Sequence, residues 1–135
     1  MNGQTKKACL LLVDDIPANI KSLVAVLRAD YELLIAKSGL QAITLAQSGA
    51  VDLILLDVVM PEMDGYAVCK QLKGLPETAH IPIIFLTAKS EGVDVAMGLA
   101  LGAVDFLTKP VDPLLVQARV RGHLGLQSGW CDADR

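Results

Sequence analysis

Five short apolar runs recur along the chain: Ala8–Val13, Tyr31–Ala36, Asp52–Leu56, Ile81–Leu86 and Ala103–Leu107. Three of them, ACLLLV, DLILL and IPIIFL, are nearly continuous in apolar residues. A strand with one wet face alternates apolar and polar residues, whereas a strand covered on both faces does not. The runs have strand length and are too short for typical helices. Between them lie helical patterns. Pro17 sits at a first helical position, with Ile20, Leu23, Val24 and Leu27 following at i, i+3, i+4 and i+7. Ser38 reads as an N-cap before Leu40, Ile43 and Leu45, and Gly65 precedes Tyr66, Val68, Cys69 and Leu72. Ser90 opens a segment with Val93, Met97 and Leu101, and Asp112-Pro113 opens one lined by Leu114, Leu115, Ala118, Val120 and Leu124. The order is β-α repeated five times. That alternation implies right-handed crossovers and a doubly wound α/β fold, a five-stranded parallel sheet with five helices on its two faces.

Composition narrows what such a fold does. The 135 residues fit one domain, and 53% hydrophobic against 20% charged residues supports a real core. With aromatics at 4%, that core rests on Leu, Val, Ile and Ala. The net charge of −3 speaks against direct nucleic-acid binding, which needs a basic surface excess. Cys9, Cys69 and Cys131 are odd in number and lack a C-x-x-C pair, so neither a disulfide framework nor a zinc site is expected. Cys9 and Cys69 read as buried small hydrophobes, and a cytoplasmic setting is the expectation. Lys6 and Lys7 precede an apolar run too short for a signal peptide, and no stretch approaches the roughly 18 apolar residues of a membrane span. Residues 1–7 read as an N-terminal extension, 8–127 as the domain and 128–135 as a polar, fraying tail in which Trp130 is unusual. Gly122, Gly125 and Gly129 weaken the last helix.

Doubly wound sheets bind ligands beyond the carboxyl ends of their strands. The polar residues at those ends are Asp14 and Asp15 after the first run, Asp57 after the third, Thr87 after the fourth, and Thr108, Lys109 and Pro110 after the fifth. Two carboxylates about 4 Å apart repel by roughly 4 kcal/mol at an effective dielectric of 20. Either their pKa values rise or a cation sits among them. Oxygen ligands on short loops, with no His or Cys nearby, suit a hard ion such as magnesium. The array suits phosphoryl transfer, with Asp57 as nucleophile and Lys109, Thr87 and backbone N–H groups neutralising the phosphoryl oxygens.

The matching segments are Leu12-Val13-Asp14-Asp15, Asp52 to Asp57, Met60-Pro61-Glu62-Met63-Asp64-Gly65, Ile83 to Ala88 and Gly102 to Pro110. Over Ala8 to Gln127 the chain resembles the receiver domain of two-component response regulators. The resemblance implies a flavodoxin-like sheet of order 2-1-3-4-5. It makes Asp57 the phosphoacceptor. It implies Mg2+ on Asp14, Asp15, Asp57 and the Val59 backbone carbonyl, with Thr87 and Lys109 on the phosphoryl group. It implies a cis Lys109–Pro110 bond and a switch made of Thr87 and Phe106, where the family often has Tyr. Val59 and Lys89 would tune acyl-phosphate lifetime. The implied partners are a histidine kinase or phosphotransfer protein and an output domain or protein, with a homodimer through helix 4, strand 5 and helix 5 as one assembly. Such a domain catalyses only its own phosphorylation and slow dephosphorylation.

Blander readings stand beside these. Asp14-Asp15 and Asp57 could each be a strand-end turn, Thr87 an N-cap, Phe106 plain core, and Asp64-Gly65 only a turn with a helix start. His80 and His123 stand outside the cluster, and Arg119 and Arg121 read as a solvated helix face. Aspartyl-phosphate hydrolases of the haloacid dehalogenase type use D-x-D, but Val59 fills the second acidic position. A nucleotide or flavin module would need a glycine-rich phosphate loop, and none is present. A docking domain that works without phosphorylation would not need the acidic cluster.

Overall fold

The computed structural model describes residues 7–88 and 95–128, with side chains of the last helix described to residue 125. The elements alternate as β1 (Cys9–Val13), α1 (Pro17–Leu27), β2 (Glu32–Ala36), α2 (Gly39–Ala46), β3 (Leu53–Asp57), α3 (Gly65–Lys73), β4 (Ile83–Ala88), α4 (Val95–Ala100), β5 (Asp105–Lys109) and α5 (Pro113–Ser128). All four strand pairings are parallel, in the order β2-β1-β3-β4-β5. The expected sheet order and five helices are therefore present. No helix among the described residues is long and apolar enough to cross a membrane.

The continuous apolar runs are explained by what lies on either side of the sheet. Leu11, Val13, Ile54, Leu56, Ile83 and Phe85 point to one face and pack with Ala42, Ile43 and Ala46 of α2 and Val68, Cys69 and Leu72 of α3. Their neighbours Leu10, Leu12, Leu53, Leu55, Ile84 and Leu86 point the other way, onto Ile20, Leu23 and Leu27 of α1 and Val116, Val120 and Leu124 of α5. Each fully buried side chain of this size stabilises by about 2 kcal/mol relative to exposure. Pro17 opens α1, the Ser38 hydroxyl accepts from Gln41 N at 3.2 Å, and Asp112 Oδ1 accepts from Leu114 N at 3.0 Å, all as the sequence suggests.

Three expectations are corrected. Leu40 is 67% exposed, because the Ser38 cap sets the phase of α2 so that Gly39, Ala42, Ile43 and Ala46 face inward. Leu114, Leu115 and Ala118 are also exposed; the stripe that α5 buries is Val116, Val120 and Leu124. The last strand starts two residues later than the apolar run, since Ala103 N–H donates to Gly98 O and Val104 N–H to Ile83 O before the ladder begins. α5 continues through Gly122 and Gly125, held by Val120 and Leu124 in the core. The Ser90 cap, Val93, Lys89, the first six residues and the tail with Trp130 and Cys131 lie outside the described residues.

Candidate functional site

Strand ends place the site. Asp14 follows β1 directly, and its N–H donates to Ala36 O at 3.2 Å, so pairing with β2 continues one residue into the turn. Its Oδ1 accepts from Ile16 N at 2.9 Å, which fixes the side chain and starts α1. Asp57, Thr87 and Lys109 are the last or near-last residues of β3, β4 and β5, inside the strands rather than just after the apolar runs. Staying in the ladder ties each to a neighbouring strand: Asp57 pairs with Leu86, Thr87 with Thr108 and Lys109 with Ala88.

The side chains converge. The carboxylates of Asp14, Asp15 and Asp57 each offer an oxygen, and these atoms lie within 4.8 Å of one another. Lys109 Nζ donates to Asp57 Oδ1 at 2.9 Å and stands 3.4 Å from Asp14 Oδ2. Asp14 is fully buried and Asp57 is 1% exposed. Three carboxylates against one ammonium leave two negative charges in this corner. Asp14 Oδ2 and Asp15 Oδ1 are buried without a hydrogen-bond partner. Orphaned buried oxygens of this kind, all hard donors, fit a divalent cation. Burial alone would lower the Lys109 pKa, but the hydrogen bond to Asp57 and the charges of Asp14 and Asp57 outweigh it, and the group is raised above the ordinary lysine value. A cleft of about 120 Å³ opens beside Asp14 and Lys109, toward Asn19 and Ser22 of α1 and Pro110. The Lys109–Pro110 bond is cis.

Thr87 is 6% exposed, and its hydroxyl donates to Ala88 O at 3.2 Å. Val59 carries a 51% exposed side chain in the loop after Asp57. That loop is held tightly. Gly65 N–H donates to Val58 O at 2.7 Å, and Met63 N–H to Pro61 O at 2.8 Å across Glu62, whose φ is +70°. The last feature is a γ-turn in the strained, left-handed sense. A side chain on Gly65 would press into the Asp57 carbonyl oxygen. Asp64-Gly65 is thus more than a helix start: Asp64 Oδ1 accepts from Ala67 N at 2.9 Å, and Gly65 lets α3 begin against the backbone of Asp57.

Phe106 is half-buried against Phe85, ring centroids 5.2 Å apart, and Phe85 meets Tyr66 edge-on at 5.4 Å. Arg119 is not a merely solvated residue. Its Nη1 donates to Asp105 Oδ2 at 2.6 Å, and His123 Nε2 lies 3.1 Å from the same oxygen. Burial would raise the Asp105 pKa, but those two hydrogen bonds, with a third from Phe106 N–H, hold it below the ordinary aspartate value. His123 faces this clasp, apart from the acidic cluster. Nothing short of the phase of α5 on β5 would have found it.

A family model described as the response regulator receiver domain matches residues 10–121. The chain is 49% identical over 115 residues to the response regulator PleD of Caulobacter vibrioides, covering 84% of this chain and 25% of that protein. It is 42% identical over 116 residues to the alkaline phosphatase synthesis transcriptional regulatory protein PhoP of Bacillus subtilis, covering 85% of this chain and 48% of the relative. The chain spans about a quarter of the length of PleD and of a probable cyclic di-GMP phosphodiesterase of Vibrio cholerae that it also matches. Among solved structures it resembles the receiver domain of the sensor histidine kinase PA1611 of Pseudomonas aeruginosa PAO1, which holds a magnesium ion in its active-site cleft. The TM-score is 0.76 at 31% identity, over 91% of this chain and 98% of that one.

Proposed function

This chain belongs to the response regulator receiver domain family, and on that premise we propose that it is a phosphorylation switch that takes a phosphoryl group onto Asp57 from a histidine kinase or phosphotransfer protein. The observation that carries the reading is three carboxylates within 4.8 Å of one another, two of them paired with Lys109, at the carboxyl edge of a parallel sheet.

Asp14, Asp15, Asp57 and the Val59 carbonyl would hold Mg2+. When bound, the ion supplies charge neutralisation on the phosphoryl oxygens. An Asp57 carboxylate oxygen attacks phosphorus, the bond from phosphorus to the donor's leaving atom breaks, and an acyl phosphate forms. Lys109, now 2.9 Å from Asp57, follows the charge onto a phosphoryl oxygen. Thr87 turns its hydroxyl from Ala88 O to another. Its movement frees space beside Phe106, so a local charge event repacks the face of α4, β5 and α5. Exposed Val95, Leu99, Leu114 and Leu115 lie on α4 and α5, which suits docking to an output domain, a protein partner or a second copy. Val59 has no group to orient an attacking water, so hydrolysis is slow; Lys89 would share in setting that lifetime. Val59 also stands where D-x-D hydrolases carry their acid, which favours a switch over a turnover enzyme.

The test is acetyl phosphate with Mg2+, read by intact-protein mass. The wild type gains one phosphoryl group, and Asp57→Ala or chelated samples gain none. Equal mass gain in Asp57→Ala defeats the reading.

A further inference from the structure

Gly98 is buried in the middle of α4, in a segment otherwise made of Val, Ala, Met and Leu. Glycine weakens a helix interior relative to alanine, so the helix itself has no use for it. The use lies across the interface. A β-carbon built at 98 would overlap the Phe106 ring tip, Cζ, and would stand 3.0 Å from its Cε1 and 3.1 Å from Phe85 Cε2. The missing methyl is the seat of the Phe106 ring.

Strand register puts this seat beside the site. Phe85 and Phe106 are direct partners in the β4–β5 ladder, and Thr87 lies two residues beyond Phe85, on the same face. The end of α4 is tied to the sheet just beyond its last turn. Gly98 O accepts from both Leu101 N–H and Ala103 N–H at 3.2 Å, and Val104 N–H ties the following segment to Ile83 O. The ring is the movable partner: Phe106 is only half-buried, and rotation about its Cα–Cβ bond carries it outward.

We propose that Gly98 is the positioning residue of the switch: the size of the side chain at 98 decides whether Phe106 occupies the inner seat against Phe85, and so whether Thr87 can act on the α4–β5–α5 face. This rests on the phosphoacceptor reading for its signalling half only; the seat itself is geometric. An alanine at 98 holds the ring out and disconnects that face while leaving Asp57 chemistry in place.

Phe85 and Phe106 are the chain's only phenylalanines, so ring-13C-phenylalanine labelling gives two ring systems to follow by NMR. The wild type should show cross-peaks from Phe106 to Phe85 and to Gly98 Hα, and Phe106 should shift when beryllofluoride and Mg2+ are added. In Gly98→Ala the Phe85–Phe106 cross-peaks and the Phe106 response should be lost, while acetyl phosphate still adds one phosphoryl group by mass. Retained cross-peaks in Gly98→Ala overturn the proposal. If the wild type takes no phosphoryl group, the phosphoacceptor reading fails instead, and the cross-peaks still decide the seat. Melting midpoints guard against a variant that does not fold. Gly98→Ala should lower the midpoint in the wild type but not in a Phe106→Leu background, which lacks the ring tip. An equal drop in both backgrounds also overturns it.

Discussion

Replacing Asp15 with asparagine should make the protein more stable without magnesium and insensitive to magnesium. The three carboxylate oxygens lie within 4.8 Å of one another. At that spacing each pair repels by about 3.5 kcal/mol at an effective dielectric of 20. Lys109 compensates Asp57 at 2.9 Å and Asp14 at 3.4 Å, while Asp15 Oδ1 has no hydrogen-bond partner. Asp15→Asn removes two of the three repulsions and keeps the shape. Asp15 is only partly buried, so solvent screening cuts the gross figure to a net gain of about 1–3 kcal/mol. For a chain of this size that is a rise of about 3–10 °C in Tm. Magnesium acts against that gain: the wild type gains about 2.7 kcal/mol at a hundredfold excess over Kd, and the variant gains little. Thermal melts of both proteins in chelator and in Mg2+ check all four values. A variant less stable than the wild type in chelator, or equal magnesium shifts in both, refutes the reasoning.

Val59→Asn should shorten the acyl-phosphate lifetime by about tenfold or less, measured as phosphate release from the phosphorylated protein; an unchanged rate removes the water-orientation account. Glu62→Gly should raise stability by about 0.5–1 kcal/mol in denaturant melts, since glycine relieves the left-handed φ at an exposed position at some entropic cost in the unfolded chain. Asp105 has a folded pKa below its unfolded value, so it stabilises the fold at pH above the ordinary aspartate pKa near 3.8, and that contribution fades as pH falls through the lower, folded value. Asp105→Asn should therefore flatten the acid limb of a Tm-against-pH profile and leave its slope at neutral pH unchanged.

The fold was legible because burial on both faces is written into each strand. The alternation of Leu10, Leu12 with Leu11, Val13 between two cores makes a continuous apolar run, and such runs separated by helical periods leave few topologies. Asp14, Asp15, Asp57 and Lys109 were legible for a related reason: parallel strands all end on one edge, so residues far apart in sequence meet without further information. What escaped depends on helix phase and close approach. Leu40, Leu114 and Leu115 are apolar at helical spacing, yet they fall outside the stripes that α2 and α5 bury, Ala42, Ile43 and Ala46 on one and Val116, Val120 and Leu124 on the other. Arg119 reaches Asp105 only because Val116, Val120 and Leu124 fix the roll of α5. Gly65 read only as a turn with a helix start and Gly98 carried no reading at all, and only the positions of the Asp57 carbonyl and the Phe106 ring show why a side chain is excluded.

The most direct test is to trap the acyl phosphate where it forms. Borohydride delivers hydride to the aspartyl phosphate carbonyl, phosphate leaves to give the aldehyde, and a second hydride with a proton from water reduces that to homoserine. After acetyl phosphate with Mg2+, peptide mapping should find homoserine at position 57 in the wild type and none when Mg2+ is chelated. Homoserine at another aspartate, or none in the presence of Mg2+, would contradict the account.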